Sequence, residues 1–289
     1  MRKINLSKII TYFIFIIFAL MVLVPVVWVF LAAFKQNHEF YGSPWVLPAK
    51  LYFKNFISAF KTANMGEYLF SSVAVTVLSL ILLLVLALPA AYCLSRFKFF
   101  ANGFLNGLFM AGLFINVNYI VVPIFLMLRD GDIVLKELFG DGFLLNNIFI
   151  LALVYAATAL PFTIYLLASY FTTLPNDFEE AAYIDGAGYL GTMLKIMLPL
   201  ARPSVITVIL FNFLAFWNEY IISMTLLSKA GGIRTLPVGL MNLMQGQQAK
   251  AEYGTMYAGL VMVMLPTLIL YICVQKKLTE GMTVGGVKG

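Results

Sequence analysis

Residues 179–203 read EEAAYIDGAGYLGTMLKIMLPLARP. Two acids and two small residues open the stretch, an Asp-Gly pair breaks it, an apolar run follows, and Pro199 and Pro203 close it. Just upstream, Pro175 stops whatever helix precedes, and Asn176 or Asp177 suits a new helix start. Glu179 and Glu180 then occupy a first turn, where the helix dipole favours carboxylates. Asp185-Gly186 ends that helix. From Ala187 to Leu198, residues Tyr189, Leu190, Met193, Leu194, Ile196, Met197 and Leu198 fall on one arc, with Gly191, Thr192 and Lys195 on the other, the pattern of an amphipathic helix. The stretch therefore reads as two short helices joined by a glycine turn. It also matches G-x-G-x-x-G at Gly186, Gly188 and Gly191. A dinucleotide site needs that motif between a strand and a helix of a βαβ unit. Here an apolar helix and a capped short helix come first, so nucleotide binding is rejected.

The surroundings explain why the motif cannot lie in a sheet. Of 289 residues, 62% are hydrophobic and only 11% charged, and the mean hydropathy is +0.94. Soluble domains carry about 25% charged residues. Six segments meet the need for about 20 mainly apolar residues per membrane crossing, at 9–34, 68–94, 103–127, 147–170, 204–226 and 253–276, separated by 33, 8, 19, 33 and 26 residues. The barrel alternative would show alternating segments of about 10 residues. The fold class is all-α: a polytopic membrane protein with six transmembrane helices, five of them with internal proline (Pro25, Pro89, Pro123, Pro161, Pro266). The first run is too long for a signal-peptide core. The net charge of +6 concerns lipid and topology rather than nucleic acid. Lys and Arg divide ten to nine between alternate sides, but the flanking bases Arg2, Lys3, Lys8, Arg96, Lys98, Lys276 and Lys277 place both termini, and loop 171–203, in the cytoplasm. Cys93 and Cys273 read as buried small hydrophobes, and the single histidine, His38, has no partner for a metal site.

Polar residues inside spans are costly and functional. The third span holds Asn116, Asn118 and Tyr119; the fifth holds Asn212, Trp217, Asn218 and Glu219. Glu219 lies about four residues, roughly 6 Å, from the middle of its span, so it must face a partner helix or a wet cavity. These residues suit either an interhelical hydrogen-bond cluster or the path of a sugar. No mid-membrane array of coupling-ion carboxylates and no inverted repeat marks a secondary transporter. No nucleophile–base pair marks an enzyme, so the chain is read as having no catalytic residue.

With spans and loop in place, Glu180-Ala181-Ala182, Gly186, Ile196 and Leu198-Pro199 match at seven positions the cytoplasmic pattern of ABC importer permeases: E-A-A, three residues, G, nine residues, I, one residue, L-P. Asp185 and Ala187 complete its usual D-G-A form. The likeness covers nearly the whole chain. LPFTIYLLASYFTTLPNDFEEAA (160–182), FWNEY (216–220), RTLPVGL (234–240) and GMTVGGVKG (281–289) resemble the carbohydrate-uptake branch, and within it the shorter permease of maltose-type pairs.

The resemblance implies a type I ABC importer permease fold in a bacterial-type inner membrane. It divides the chain into 1–66 (first helix and external segment), 67–276 (permease core) and 277–289 (cytoplasmic tail). It implies partners: a second permease, two copies of an ATPase subunit that hold ATP and Mg, an extracytoplasmic sugar-binding protein, and lipid. The chain itself would hold no cofactor and no metal. Loop 179–203 would seat in the ATPase, with Glu180 making polar contacts, Ala181 and Ala182 allowing close approach, Gly186 turning the chain, and Ile196, Leu198 and Pro199 fixing the second helix. In the tail, Gly281, Thr283, Gly285, Gly286 and Lys288 would touch the ATPase. A non-sugar solute such as a polyamine, phosphoester or amino acid is the alternative cargo.

Overall fold

The computed structural model describes residues 6–41, 45–229, 232–250 and 252–286. Among them the regular elements are all helical. The long helices are α1 (Leu6–Ala32), α2 (Met65–Arg96), α3 (Asn102–Gly112), α4 (Val117–Phe139) and α5 (Ile148–Thr173). After α5 come α6 (Asp177–Ile184), α7 (Tyr189–Leu200), α8 (Arg202–Trp217), α9 (Ile221–Leu226), α10 (Leu236–Lys250) and α11 (Tyr253–Gly286). α1, α2, α5 and α11 are each long and apolar enough to cross a membrane, and the bent pairs α3/α4 and α7/α8 raise the number to six. All five prolines noted in the spans lie inside helices.

Two of the six crossings differ from the sequence expectation. The segment 103–127 is no straight helix: α3 and α4 meet at 103°. Four residues unwind after Gly112, and Asn116 restarts the helix by accepting the Asn118 amide at 2.9 Å. At Gly112 a β-carbon would stand 2.8 Å from Pro161 Cγ, so only glycine lets α3 lie this close to α5. α4 then runs to Phe139, well past the expected end, and stops at Gly140, whose φ of 86° suits the left-handed cap. The fifth crossing stops at Trp217, not 226, because Asn218, Glu219 and Tyr220 interrupt it before α9 begins. Residues 227–252, read as a connection, contain the 15-residue α10. The tail read as starting at 277 continues α11 to Gly286.

The chain forms two compact units. The first comprises residues 1–67 and 239–266. Here the Asn55 amide ties the end of α1, donating to the carbonyls of Ala33 (2.9 Å) and Lys35 (2.8 Å). Trp28 packs on Trp45 and Tyr257, and Phe40 stacks on Tyr257. Glu39 closes the loop between, accepting the amides of Gln36 (2.6 Å) and Ala49 (2.8 Å).

The second unit, 68–238 and 267–289, holds the larger core. α5 is its centre, contributing Leu151, Tyr155, Ala156, Ile164, Leu167 and Phe171, all buried. Leu83, Ala87, Ala91 and Tyr92 of α2 meet it on one side, Val208 and Phe216 of α8 on another. Small residues at these contacts let helices approach where lipid supplies no hydrophobic drive between them. Cys93 and Cys273 are free and exposed rather than buried. In a lipid-facing chain an apolar segment turns much of its surface outward, so apolar neighbours do not imply burial.

Candidate functional site

Loop 177–200 has the helix–turn–helix course that the sequence implies, with its capping partners and the faces of α7 exchanged. Pro175 holds Leu174 extended (φ −78°, ψ 137°), which ends α5 and leaves its last carbonyls open. Arg96, at the end of α2, fills the gap: its Nη2 donates to the Leu174 carbonyl (2.8 Å) and its Nη1 to the Asn176 side chain (2.5 Å). A cation belongs at a helix C-terminus on dipole grounds as well. Asn176 is indeed the residue before α6, but its side chain makes no cap, because Arg96 has engaged it. The amides of Glu179 and Glu180 are satisfied instead by the Asn176 backbone carbonyl.

α6 ends in a complete Schellman turn. The Ala187 amide donates to the Ala182 carbonyl (2.9 Å), the Gly186 amide to that of Tyr183 (3.1 Å), and Gly186 has φ +80°. The turn expected at Gly186 is therefore present, and the glycine is required by its backbone. α7 contains a widened five-residue turn, Met193–Met197, just before Pro199. Proline cannot donate to the Lys195 carbonyl and its ring would press on it; the wider turn relieves that crowding.

The faces of this knob differ from the expected arc. On α7, Thr192 is fully buried and donates to the Gly188 carbonyl (3.2 Å), beside buried Met193 and Met197. Leu190 and Leu194, expected on the same face as Met193, point outward, and Tyr189 is exposed too. The hydroxyl turns inward because it has a carbonyl within reach one turn back. Ile196 and Leu198 are half-buried, Ala187 is partly covered, and Pro199 is exposed. On α6, Glu180, Ala181, Asp185 and Gly186 face outward with Ile184, which is 87% exposed, while Ala182 is buried. The outer surface thus presents the carboxylates of Glu180 and Asp185 around a small and apolar tip, with exposed Asp177 at the start of the helix.

The unexpected member is Glu179. It is buried beside Ala182, three residues on, and its Oε2 stands 3.7 Å from Arg96 Nε. The Tyr92 ring packs edge-on against Phe97 and Phe171, and its buried hydroxyl lies near Glu179 and Tyr183 without closing a hydrogen bond. Phe97 in turn meets Tyr189 of α7. Partial desolvation, then the Glu179 carboxylate, push the Tyr183 hydroxyl above its ordinary range. A sequence signal for this junction existed: Glu179 and Ala182 share one face, and an acid on an inward face needs a base. Which base answers it is set by the packing of α2 beside α6, not by spacing.

The polar residues of the spans separate into two groups. Asn116 and Asn118 make the local capping bond described above, the Tyr119 amide donates to the Asn116 carbonyl (3.0 Å), and Tyr119 is 82% exposed. The fifth-span residues are engaged in packing. Asn212 is buried and donates to Thr163 Oγ1 (3.0 Å) and the Val208 carbonyl (2.9 Å). Trp217 is buried against Phe213, and Asn218 donates back to Leu214. Glu219 accepts the Tyr155 hydroxyl (2.6 Å) and the amides of Ile222 (2.7 Å) and Ser223 (3.0 Å). Its partner is therefore a neighbouring helix, α5, together with the start of α9. A cavity of about 900 Å³ with mixed lining lies at the N-terminal end of α5, bordered by Asp132, Lys136, Asn146 and Lys229 and by Phe143 and Ile148. None of the seven expected pathway residues lines it. Of the expected tail residues, Gly281, Thr283, Gly285 and Gly286 continue the α11 backbone, and Lys288 lies outside the described residues.

Comparison with known proteins adds an independent view. The family described as "Binding-protein-dependent transport system inner membrane component" matches residues 84–278. A diacetylchitobiose uptake system permease protein of Streptomyces coelicolor is 35% identical over 276 residues, covering 96% of this chain and 87% of that protein. A trehalose/maltose transport system permease protein of Thermococcus litoralis is 29% identical over 300 residues and covers both chains fully. Among solved structures, a chain of a bacterial ABC transporter involved in import of the acidic polysaccharide alginate superposes with TM-score 0.79 at 25% identity, over 96% of this chain and 98% of that one.

Proposed function

Because the chain belongs to the family of binding-protein-dependent transport system inner membrane components, we propose that it is the membrane-spanning permease subunit of an ATP-driven importer of a di- or oligosaccharide. The observation that carries the cargo class is 35% identity, nearly end to end, to a permease for diacetylchitobiose, joined by the trehalose/maltose relative. The solute arrives on an extracytoplasmic binding protein and crosses between this chain and a second, different permease. ATP and Mg bind two ATPase subunits rather than this chain. Both termini and loop 171–203 lie in the cytoplasm.

In this reading the knob α6–α7 seats in an ATPase subunit. Its shape supports that role. The Schellman turn fixes the angle between the helices, and the exposed faces of Ala181 and Gly186 admit a partner's backbone. The outward Glu180 carboxylate, at a helix N-terminal turn, is free to meet a cation of the partner. Closure of the ATPase pair on ATP moves the knob, and the helices packed on it convert that movement into alternating access. Part of the end of α11, from Gly281 to Gly286 with Lys288 beyond it, reaches the ATPase as well. Asn116, Asn118, Tyr119, Asn212, Trp217, Asn218 and Glu219 shape the pathway, Asn212 and Trp217 by packing within the bundle and Asn218 and Glu219 by fixing the α8–α9 break.

The test is uptake of labelled diacetylchitobiose, maltose and trehalose by cells carrying the native genes and by cells with Glu180→Ala. ATP-dependent uptake of one of these sugars, abolished in the variant while the chain remains in the membrane, is expected. Uptake of labelled spermidine or a glycerol phosphoester in place of every sugar would overturn the cargo class, and unchanged sugar uptake in the variant would overturn the role of Glu180.

A further inference from the structure

Among the described residues, five buried side-chain polar atoms have no hydrogen-bond partner, and three of them meet at one junction: Tyr92 Oη, Arg96 Nε and Glu179 Oε1. A buried polar atom left unpaired is uncommon in a settled structure and needs a reason. The same Arg96 holds two fixed bonds, to the Leu174 carbonyl and to the Asn176 side chain, so its fork spans the end of α5 and the start of α6. Arg96 and Glu179 are nearly excluded from solvent, with side chains 7% and 12% exposed, yet Arg96 Nε and Glu179 Oε2 stand 3.7 Å apart. That separation is an ion pair but not a hydrogen bond, which for charged groups closes at about 2.7–2.9 Å.

We propose that Arg96 is the positioning residue that makes α6 and the end of α2 move as one body, and that its pairing with Glu179 tightens when α6 is pressed. This rests on the reading of the α6–α7 knob as the part that receives movement from an ATPase. The geometry supports it in three ways. The Arg96 fork is already fixed at two points, so its free Nε–H has one direction in which to find an acceptor. Glu179 lies on the inner face of α6, opposite the outward Ala181, so a push on the outer face drives it toward Arg96. The Tyr92 hydroxyl waits beside it, able to donate to the carboxylate after a small shift. Phe97 against Tyr189 adds a second link, from the residue after α2 to α7. An arginine suits this work and a lysine does not, because one ammonium cannot hold the Leu174 carbonyl and the Asn176 oxygen in the geometry of the planar fork.

The experiment measures the distance between spin labels at Phe178→Cys, exposed on the side of α6 turned away from Glu180, and Phe100→Cys, exposed just after α2, in a Cys93→Ser/Cys273→Ser background. The full complex with its ATPase and second permease is placed in nanodiscs and read without nucleotide and after trapping with MgADP-vanadate. With Arg96 intact, one narrow distance is expected in both states. With Arg96→Ala, and equally with Arg96→Lys, trapping should broaden the distribution or shift it by about 2 Å or more, the scale of element shifts in switching proteins. Vanadate-trapped complex must still be recovered in both variants; recovery keeps a folding defect apart from the effect sought. Identical distributions in parent and both variants would overturn the proposal. A chain that yields no ATPase-containing complex at all would instead count against the importer reading on which the proposal rests.

Discussion

Replacing Glu219 decides between two roles for the carboxylate in the fifth span. Its two oxygens accept three hydrogen bonds: the Tyr155 hydroxyl at 2.6 Å and the amides of Ile222 and Ser223 at 2.7 and 3.0 Å. The amide bonds are those of a helix cap, each set worth about 1 kcal/mol when the capping side chain is removed. The hydroxyl bond joins α5 to the α8–α9 break, and interhelical hydrogen bonds in membranes contribute about 0.6–2 kcal/mol. Glu219→Ala therefore costs about 3 kcal/mol once the stranded Tyr155 hydroxyl, in a residue 1% exposed, is included. At about 2–4 °C per kcal/mol for a chain of this size, the melting temperature in detergent should fall by roughly 6–12 °C. Tyr155→Phe removes one bond and keeps the ring stacked on Phe216 (5.5 Å), so it should cost about 1 kcal/mol. The double variant should cost less than the sum, because each single change strands the other partner. Melting by intrinsic fluorescence, alongside uptake, reads all three. An unchanged melting temperature for Glu219→Ala combined with lost uptake would refute the capping argument and place the carboxylate against cargo.

Three further expectations follow from the geometry. Gly186→Ala meets no steric obstacle but forces a β-carbon residue to φ +80°, a strain of about 1–2 kcal/mol; hydrogen exchange should quicken across 177–200 and nowhere else in the second unit. Asn212→Leu strands the Thr163 hydroxyl inside the core and should lower the melting temperature, whereas Asn212→Leu with Thr163→Val should restore most of it, because removing both partners of a buried bond is nearly neutral. The Glu39 carboxyl is held below its usual range, first by the Ala49 amide and then by the Gln36 amide acting against desolvation. A carboxyl lowered on folding stabilises above its unfolded pKa and ceases to as pH falls through the folded value. Exchange protection of those two amides should thus be complete at neutral pH and fade only below the ordinary carboxylate range, and Glu39→Gln should remove that pH dependence.

The parts of this fold legible in the sequence are those with strong punctuation. Pro175, the acidic first turn and Asp185-Gly186 mark α6 without ambiguity, and the long apolar runs of α1, α2, α5 and α11 each fall on a helix. The break at 113–116 and the stop at Trp217 were not legible, because an apolar run looks the same whether the helix is straight or bent. What decides is a contact, Gly112 on Pro161, and a capping bond, Asn116 or Glu219 to an amide, and neither has a period. The inward turn of Thr192 and the outward turn of Leu190 and Leu194 were missed for a related reason. Periodicity sorts residues by polarity, but in a membrane protein the apolar side can be the outside. Arg96 was legible only as a topological charge; its work at the end of α5 depends on Pro175 having freed a carbonyl 78 residues along the chain.

The permease of an ATP-driven importer, reached through the α6–α7 knob, keeps its partners when it is drawn gently from the membrane. The direct measurement is a gentle-detergent pull-down of the tagged chain from its native membrane with mass spectrometry of what accompanies it, run in parallel with Glu180→Ala. An ATPase and a second polytopic permease should accompany the parent chain, and the ATPase should be lost from the variant. Recovery of the parent chain alone, from membranes in which it still supports sugar uptake, would contradict the importer reading.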